Sequence, residues 1–446
     1  MRTTASADLR RWFRPSSVVV AVAACVYLAT ASASGQRTDV FVESRDHPAI
    51  AYGTSPVHDA VTALNDRLRQ GTAHLAFDAE TGYLKSTLAA LNVPVQSQAL
   101  VFSQTSAQAA RIGPRNPRAI YFNDTVQVGW VRGADILEVA AEDPRQGVVF
   151  YTLEQRPAAK PAFARQDGCL ECHLTWDTLG VPGIMVLSTF RMSDDPHEYA
   201  SGLVVDHRTP IDRRWGGWYV TGTVGTTQHL GNVPVIVPAA ELAKPKQPTP
   251  RLDSIEGLVD AHDYLSTKSD VVALMVLEHQ TRMTNLLTRI GWEARVAAQS
   301  EPAAAAAERA ADVPARVADA ARELVDYMLF VREAPLAGRV VGSSGFAEYF
   351  SAQGPRDSKG RSLRQLDLEK RLMRYPCSYM IYAPAFDALP AVAKEAVYTR
   401  MWRVLSGEEA GKAYARLAAD DRRAIVEILR DTKKDLPPYF TPQAVH

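Results

Sequence analysis

The chain has 446 residues, with 50 basic and 50 acidic side chains and therefore no formal net charge. With no global basic field, nucleic acid is excluded as the expected partner. The length predicts two or three domains, each able to bury its own core.

At the start, Arg2, Arg10, Arg11 and Arg14 precede an apolar, charge-free run over 17–31, and Ala31-Ser32-Ala33 supplies small residues for cleavage. This pattern predicts an export signal over 1–33 and a periplasmic or otherwise exported protein. The apolar run is shorter than the ~20 residues of a typical membrane span. Left uncleaved, it would tether the chain to a membrane. Without this segment the chain keeps 46 basic and 49 acidic residues.

Residues 34–98 read as an N-terminal helical region, with apolar helical spacing from Val57 to Leu64 and at Leu84, Leu88 and Leu91. Residues 99–235 read as a β-rich domain. Runs at 99–102, 119–122, 126–131, 137–140, 148–153, 184–190, 203–205 and 218–220 are separated by Gly, Pro, Asn and Asp, which predicts an antiparallel sheet. Residues 236–252 read as a linker. Residues 253–446 read as a helical domain, with helices predicted over 255–265, 270–290, 313–331, 391–405 and 418–432. The alanine-rich stretch Ser300–Ala311 reads as a solvated helix or hinge. The expected fold class is α+β: a β-rich antiparallel domain followed by a mostly helical C-terminal domain.

Between two of the β-rich runs stands Cys169-Leu170-Glu171-Cys172-His173. Thiols three positions apart can add to the two vinyl groups of one haem, and the adjacent histidine is then held at the iron. Three rival readings exist. A thioredoxin-like dithiol also uses C-x-x-C but does not ask for the histidine. A zinc site needs four ligands, and Cys377 is roughly two hundred residues away. A structural disulfide would close a short, strained loop.

Cys169, Cys172 and His173 resemble the c-type cytochrome motif residue by residue, over these five positions only. The resemblance implies one covalent haem c, His173 as the proximal iron ligand, one-electron transfer and a redox partner protein. It does not imply the small all-helical cytochrome fold, because well over a hundred residues precede the motif. The β-rich setting loosely resembles PAS-like sensor domains that carry haem c. A haem-based sensor or small-ligand-binding module is therefore the alternative function, and a haem oxidoreductase the third. Dihaem peroxidases need a second C-x-x-C-H, which the sequence lacks.

A sixth ligand would set the chemistry of the iron. His229, in a Gly-rich turn, is the first candidate; His207, Met185, Met192 and an open position are the others. Met275, His279 and Met283 recur every four residues and read as a packed helix face. Pro182 offers either a carbonyl to the proximal histidine or a simple turn. Arg356–Arg374 holds seven basic and three acidic residues, suited to an acidic redox partner or to a solvated face. Cys377, among apolar neighbours, reads as structural. No P-loop, G-x-S-x-G or H-E-x-x-H is present, so no hydrolase or nucleotide chemistry is expected and no catalytic residues are assigned.

Overall fold

The computed structural model describes residues 40–195, 201–242, 244, 248–260, 263–300 and 314–440. The expected export signal, and the alanine-rich stretch beyond Ser300, lie outside the described residues.

Turn residues divide the chain from Ala99 onward into short strands. They are β1 Ala99–Val101, β2 Arg118–Phe122, β3 Val126–Trp130, β4 Ile136–Asp143, β5 Gly147–Glu154 and β6 Ala164–Arg165. β7 Val186–Thr189, β8 Met192–Ser193, β9 Gly202–Val205 and β10 Trp218–Tyr219 follow. Seven of them form one antiparallel sheet in the order β10-β1-β2-β3-β4-β5-β6. The β4–β5 hairpin is its longest pairing, from Ile136↔Glu154 to Asp143↔Gly147. Its turn is held by Asp143 Oδ1, which accepts from the backbone N–H of Arg145 and Gln146. β7 pairs with β9 in a separate ribbon.

Alternation gives the sheet two different faces. Tyr121, Val128, Val139, Val149 and Tyr151 point to one side and are buried. They share a core with the N-terminal helices α1 Ala60–Arg69 and α2 Leu84–Ala90 through Val61, Leu64, Leu84 and Leu88. Asp59 caps α1 by accepting from Thr62 N, and its other oxygen accepts from Tyr151 O–H at 2.6 Å, fixing the helix to β5.

On the opposite face, Ala99, Val101, Phe122 and Trp218 join a second core built on α4 Val271–Ser300. This 30-residue helix is buried on nearly every side from Val271 to Ile290, so it serves as a central strut. Asp270 fixes its start: one carboxylate oxygen accepts from Val272 N and Ala273 N, the other from Ser343 N and Ser344 N. Around it pack α5 Ala315–Met328, α6 Phe346–Ala352, α7 Ala391–Ser406 and α8 Ala419–Thr432. The fold is α+β, with the antiparallel sheet in the N-terminal part and helices in the C-terminal part. From Phe41 onward the chain forms one compact unit.

The helix expected over 255–265 is not formed over 255–260. Ile255 is fully buried and its N–H bonds to Thr267 O, closing a loop, while Tyr264 O–H reaches Pro117 O. Tertiary anchoring overrides the helical spacing there. Within the expected linker, Ile236–Val237 pairs in parallel with β8, and Ala239–Leu242 makes one helical turn. Among the described residues, no helix is long and apolar enough to cross a membrane.

Candidate functional site

The C-x-x-C-H residues sit at the β5–β6 end of the sheet. β6 returns beside β5, and Gln166 ties the following turn down: its N–H bonds Phe150 O and its amide bonds Thr152 Oγ1. A tight turn over Asp167–Cys169 leads into the short helix α3, Leu170–His173. Leu170 is buried and anchors this turn in the N-terminal core. Cys169 and Cys172 lie one helical turn apart as free thiols, the first half-buried and the second exposed.

His173 is locked to Gly183. Its Nδ1 lies 2.9 Å from Gly183 O, and Gly183 N donates to His173 O at 2.9 Å. A carbonyl only accepts, so Nδ1 carries the proton and Nε2 keeps its lone pair. Burial lowers the imidazole pKa, outweighing the bond to Gly183 O that raises it, and so favours the neutral ring. The ring packs on Phe150 with centroids 4.7 Å apart.

Gly183 is in turn gripped by α4. Asn285 Oδ1 accepts from Ile184 N and its amide donates to Ile184 O. A Cβ on residue 183 would collide with the Asn285 side-chain amide and force it to move. The carbonyl facing the histidine therefore comes from Gly183, one residue after Pro182; Pro182 O instead accepts from Val148 N.

Arg118 and Glu138 form an ion pair at 2.8 Å beside the motif, and both act electrostatically on Cys169 and His173. They reach each other across Gly129, where a Cβ would collide with the Arg118 guanidinium. Burial, then the negative charge of Glu138, pushes the Cys169 thiol above its usual pKa. Ile120, Gln127, Glu138, Ala140 and Thr152 stay half-exposed on this face and form a mixed floor beside Phe150. None of these neighbours stood out in the sequence. Glycine inside β3 was the one usable signal, since a strand glycine marks a close approach.

His229 is held elsewhere. Its Nδ1 accepts from Gly231 N at 3.1 Å, and its ring meets Trp215 edge-on at 5.2 Å. The following residues bond β10: Asn232 N donates to Trp218 O. β10 is the edge of the sheet opposite β6. His229 is thus anchored next to the β10 edge, whereas His173 packs on Phe150 of β5.

His207 and His279 form a second, fully buried pair with Nδ1 atoms 2.9 Å apart, and His279 Nε2 lies 2.7 Å from Ser378 Oγ. Asp206 pairs with Arg208 rather than with His207. Next to them Arg214 and Glu278 make a buried ion pair at 2.7 Å. Met275 and Met283 are buried, while Met185 and Met192 are half-buried. Trp218 donates from Nε1 to Leu187 O, and Trp176 is largely exposed. Cys377 is buried, with its thiol pushed up to about 12.

Among the described residues, no group of three or more His, Cys, Asp or Glu side chains is placed to hold a metal ion. No known protein family, curated protein or solved structure matches the chain.

Proposed function

We propose that this chain is an exported monohaem c-type cytochrome that transfers single electrons to or from a redox partner protein. Cys169 and Cys172 would hold the haem through thioethers, and His173 would be its proximal iron ligand. The observation that carries this reading is the bond between His173 Nδ1 and Gly183 O inside a C-x-x-C-H sequence. It fixes the tautomer whose Nε2 lone pair is free to bind a metal, and it orients the ring through a backbone clamped by Asn285. Haem c bound there supplies a one-electron couple.

The donor set fits that group better than its rivals. A redox dithiol needs a thiol of lowered pKa, whereas burial and Glu138 raise that of Cys169. A structural zinc site needs further ligands, and no such cluster occurs among the described residues. The sheet face beside Phe150 offers a partly apolar floor of the kind a flat macrocycle packs on. Export, suggested by residues 1–33, would put the chain in the compartment where haem c is attached.

The test is spectroscopic. The chain is produced in a host with a c-type maturation system, and reduced and oxidised spectra are taken with and without CO. A covalent c-type spectrum is expected, lost in Cys169→Ala/Cys172→Ala. A colourless wild-type protein would overturn the assignment. A high-spin spectrum that shifts on adding CO would move the reading from carrier to haem-based ligand sensor.

A further inference from the structure

A cleft of about 330 Å³ lies on the helical side of the molecule, remote in sequence from the C-x-x-C-H motif. One wall is the segment after α5, where Phe330 and Arg332 both take left-handed backbone conformations, at φ 55° and 65°. That path turns Phe330 inward, stacked on His279 at 4.5 Å, and leaves Arg332 exposed at the cleft. The second wall is the loop carrying Asp367, Lys370, Arg371 and Arg374, the end of the basic stretch noted in the sequence. The third carries Tyr414 and Arg416.

Five cations thus line the cleft against two carboxylates, Glu333 and Asp367. Arg371 is neutralised by a two-pronged pair with Asp421, at 2.7 and 2.9 Å. Among the described residues, Arg332, Lys370, Arg374 and Arg416 form no ion pair. Asp367 is occupied by the backbone N–H groups of Glu369 and Lys370. Glu333 is buried, with one oxygen accepting from Leu372 N. The walls are tied together: Arg416 donates to Glu333 O at 2.6 Å, and Leu336 N to Lys370 O. Uncompensated like charges around a concave wall focus the field and attract a counter-charge.

We propose that this cleft binds a small polyanion, a di- or tricarboxylate or a phosphate ester, held by Arg332, Lys370, Arg374 and Arg416. Its volume falls at the lower end of small-molecule sites, about 300–1,000 Å³. Its floor is recessed and partly apolar, through Leu329, Phe330 and Val331. Both features favour a small molecule over the acidic surface of a partner protein.

Glu333 gives the site a pH dependence. Burial raises its carboxyl to about 7, against the lowering influence of Leu372 N, Arg214, Arg371 and Arg416; Asp367, Lys370 and Arg374 also line the cleft. Protonation removes a negative charge beside the bound anion, so affinity rises as pH falls through 7.

Calorimetric titration of the full chain with citrate, and with sulfate for the pH series because its charge is constant from pH 6 to 8, tests this. Saturable binding is expected, weakened about tenfold or more by Arg374→Glu or Arg332→Glu, and unchanged by Arg69→Glu on α1. Glu333→Gln keeps an acceptor for Leu372 N and should abolish the pH dependence. Circular dichroism confirms that each variant is folded. No saturable binding, equal weakening by Arg69→Glu, or binding only to an acidic protein would each overturn the proposal.

Discussion

Glu142 is a buried carboxyl on the sheet, and its replacement is predicted to stabilise the protein in a pH-dependent way. It lies on β4, 6% exposed, and among the described residues neither carboxyl oxygen has a hydrogen-bond partner. Burial, reinforced by Asp124 and Asp143, raises its pKa from 4.5 to about 8. At pH 7 the folded protein therefore holds Glu142 neutral while the unfolded chain ionises it. The folded value is raised, so stability is present below 4.5 and lost as pH rises towards 8. At roughly 1.4 kcal/mol per pH unit, the penalty reaches about 3 kcal/mol at pH 7. Glu142→Gln keeps the shape and removes the ionisation. Urea denaturation of both proteins at pH 5, 7 and 8 reads the difference, and groups common to both cancel. The stability advantage of the variant should grow by about 3–4 kcal/mol between pH 5 and pH 8. A difference independent of pH would show that Glu142 does not carry this penalty.

Three further predictions follow from other buried groups. Burial pushes His279 down to about 3 and His207 well below its usual range. Folded values this low mean stability is lost as pH falls below about 6.5, so His207→Gln/His279→Gln should shift the acid-unfolding midpoint to lower pH. Glu278→Ala leaves Arg214 buried without its partner and should cost about 3–5 kcal/mol in thermal or urea unfolding. Glu278→Gln should cost less. Gly183→Ala drives a Cβ into Asn285 and should tilt the His173 ring, which the absorption spectrum of the haem-loaded protein would register as a displaced band; an unchanged spectrum would show the carbonyl to be dispensable.

Much of the sheet was legible because each strand is short and bounded by turn residues. Six runs, from Ala99 to Leu153 and at Trp218, coincide with strands of the seven-stranded sheet to within three residues. Order and pairing were not legible, since β10 joins β1 across more than a hundred residues. The buried helix α4 was visible by its apolar density, yet it runs ten residues beyond Ile290. The helix expected to start at Ile255 does not form there, because bonds from Ile255 to Thr267 and from Tyr264 to Pro117 are invisible to local periodicity.

The site divides in the same way. Cys169, Cys172 and His173 are adjacent in sequence, and their spacing carries their chemistry directly. Gly183, Phe150 and the Arg118–Glu138 pair meet them only through folding. His229 looked suitable in its glycine-rich turn, but the sheet places that turn at the opposite edge. Arg214 and Glu278 stand 64 residues apart and have no local signature of their pairing.

On the proposed function, Cys169 and Cys172 carry haem covalently. The most direct measurement is the intact mass of the exported protein, followed by mapping of the peptide that spans 169–173. The expected result is the mass of the chain plus one haem, resistant to acidified organic extraction and localised to that peptide. A chain of apoprotein mass, or haem that extracts freely, would contradict it.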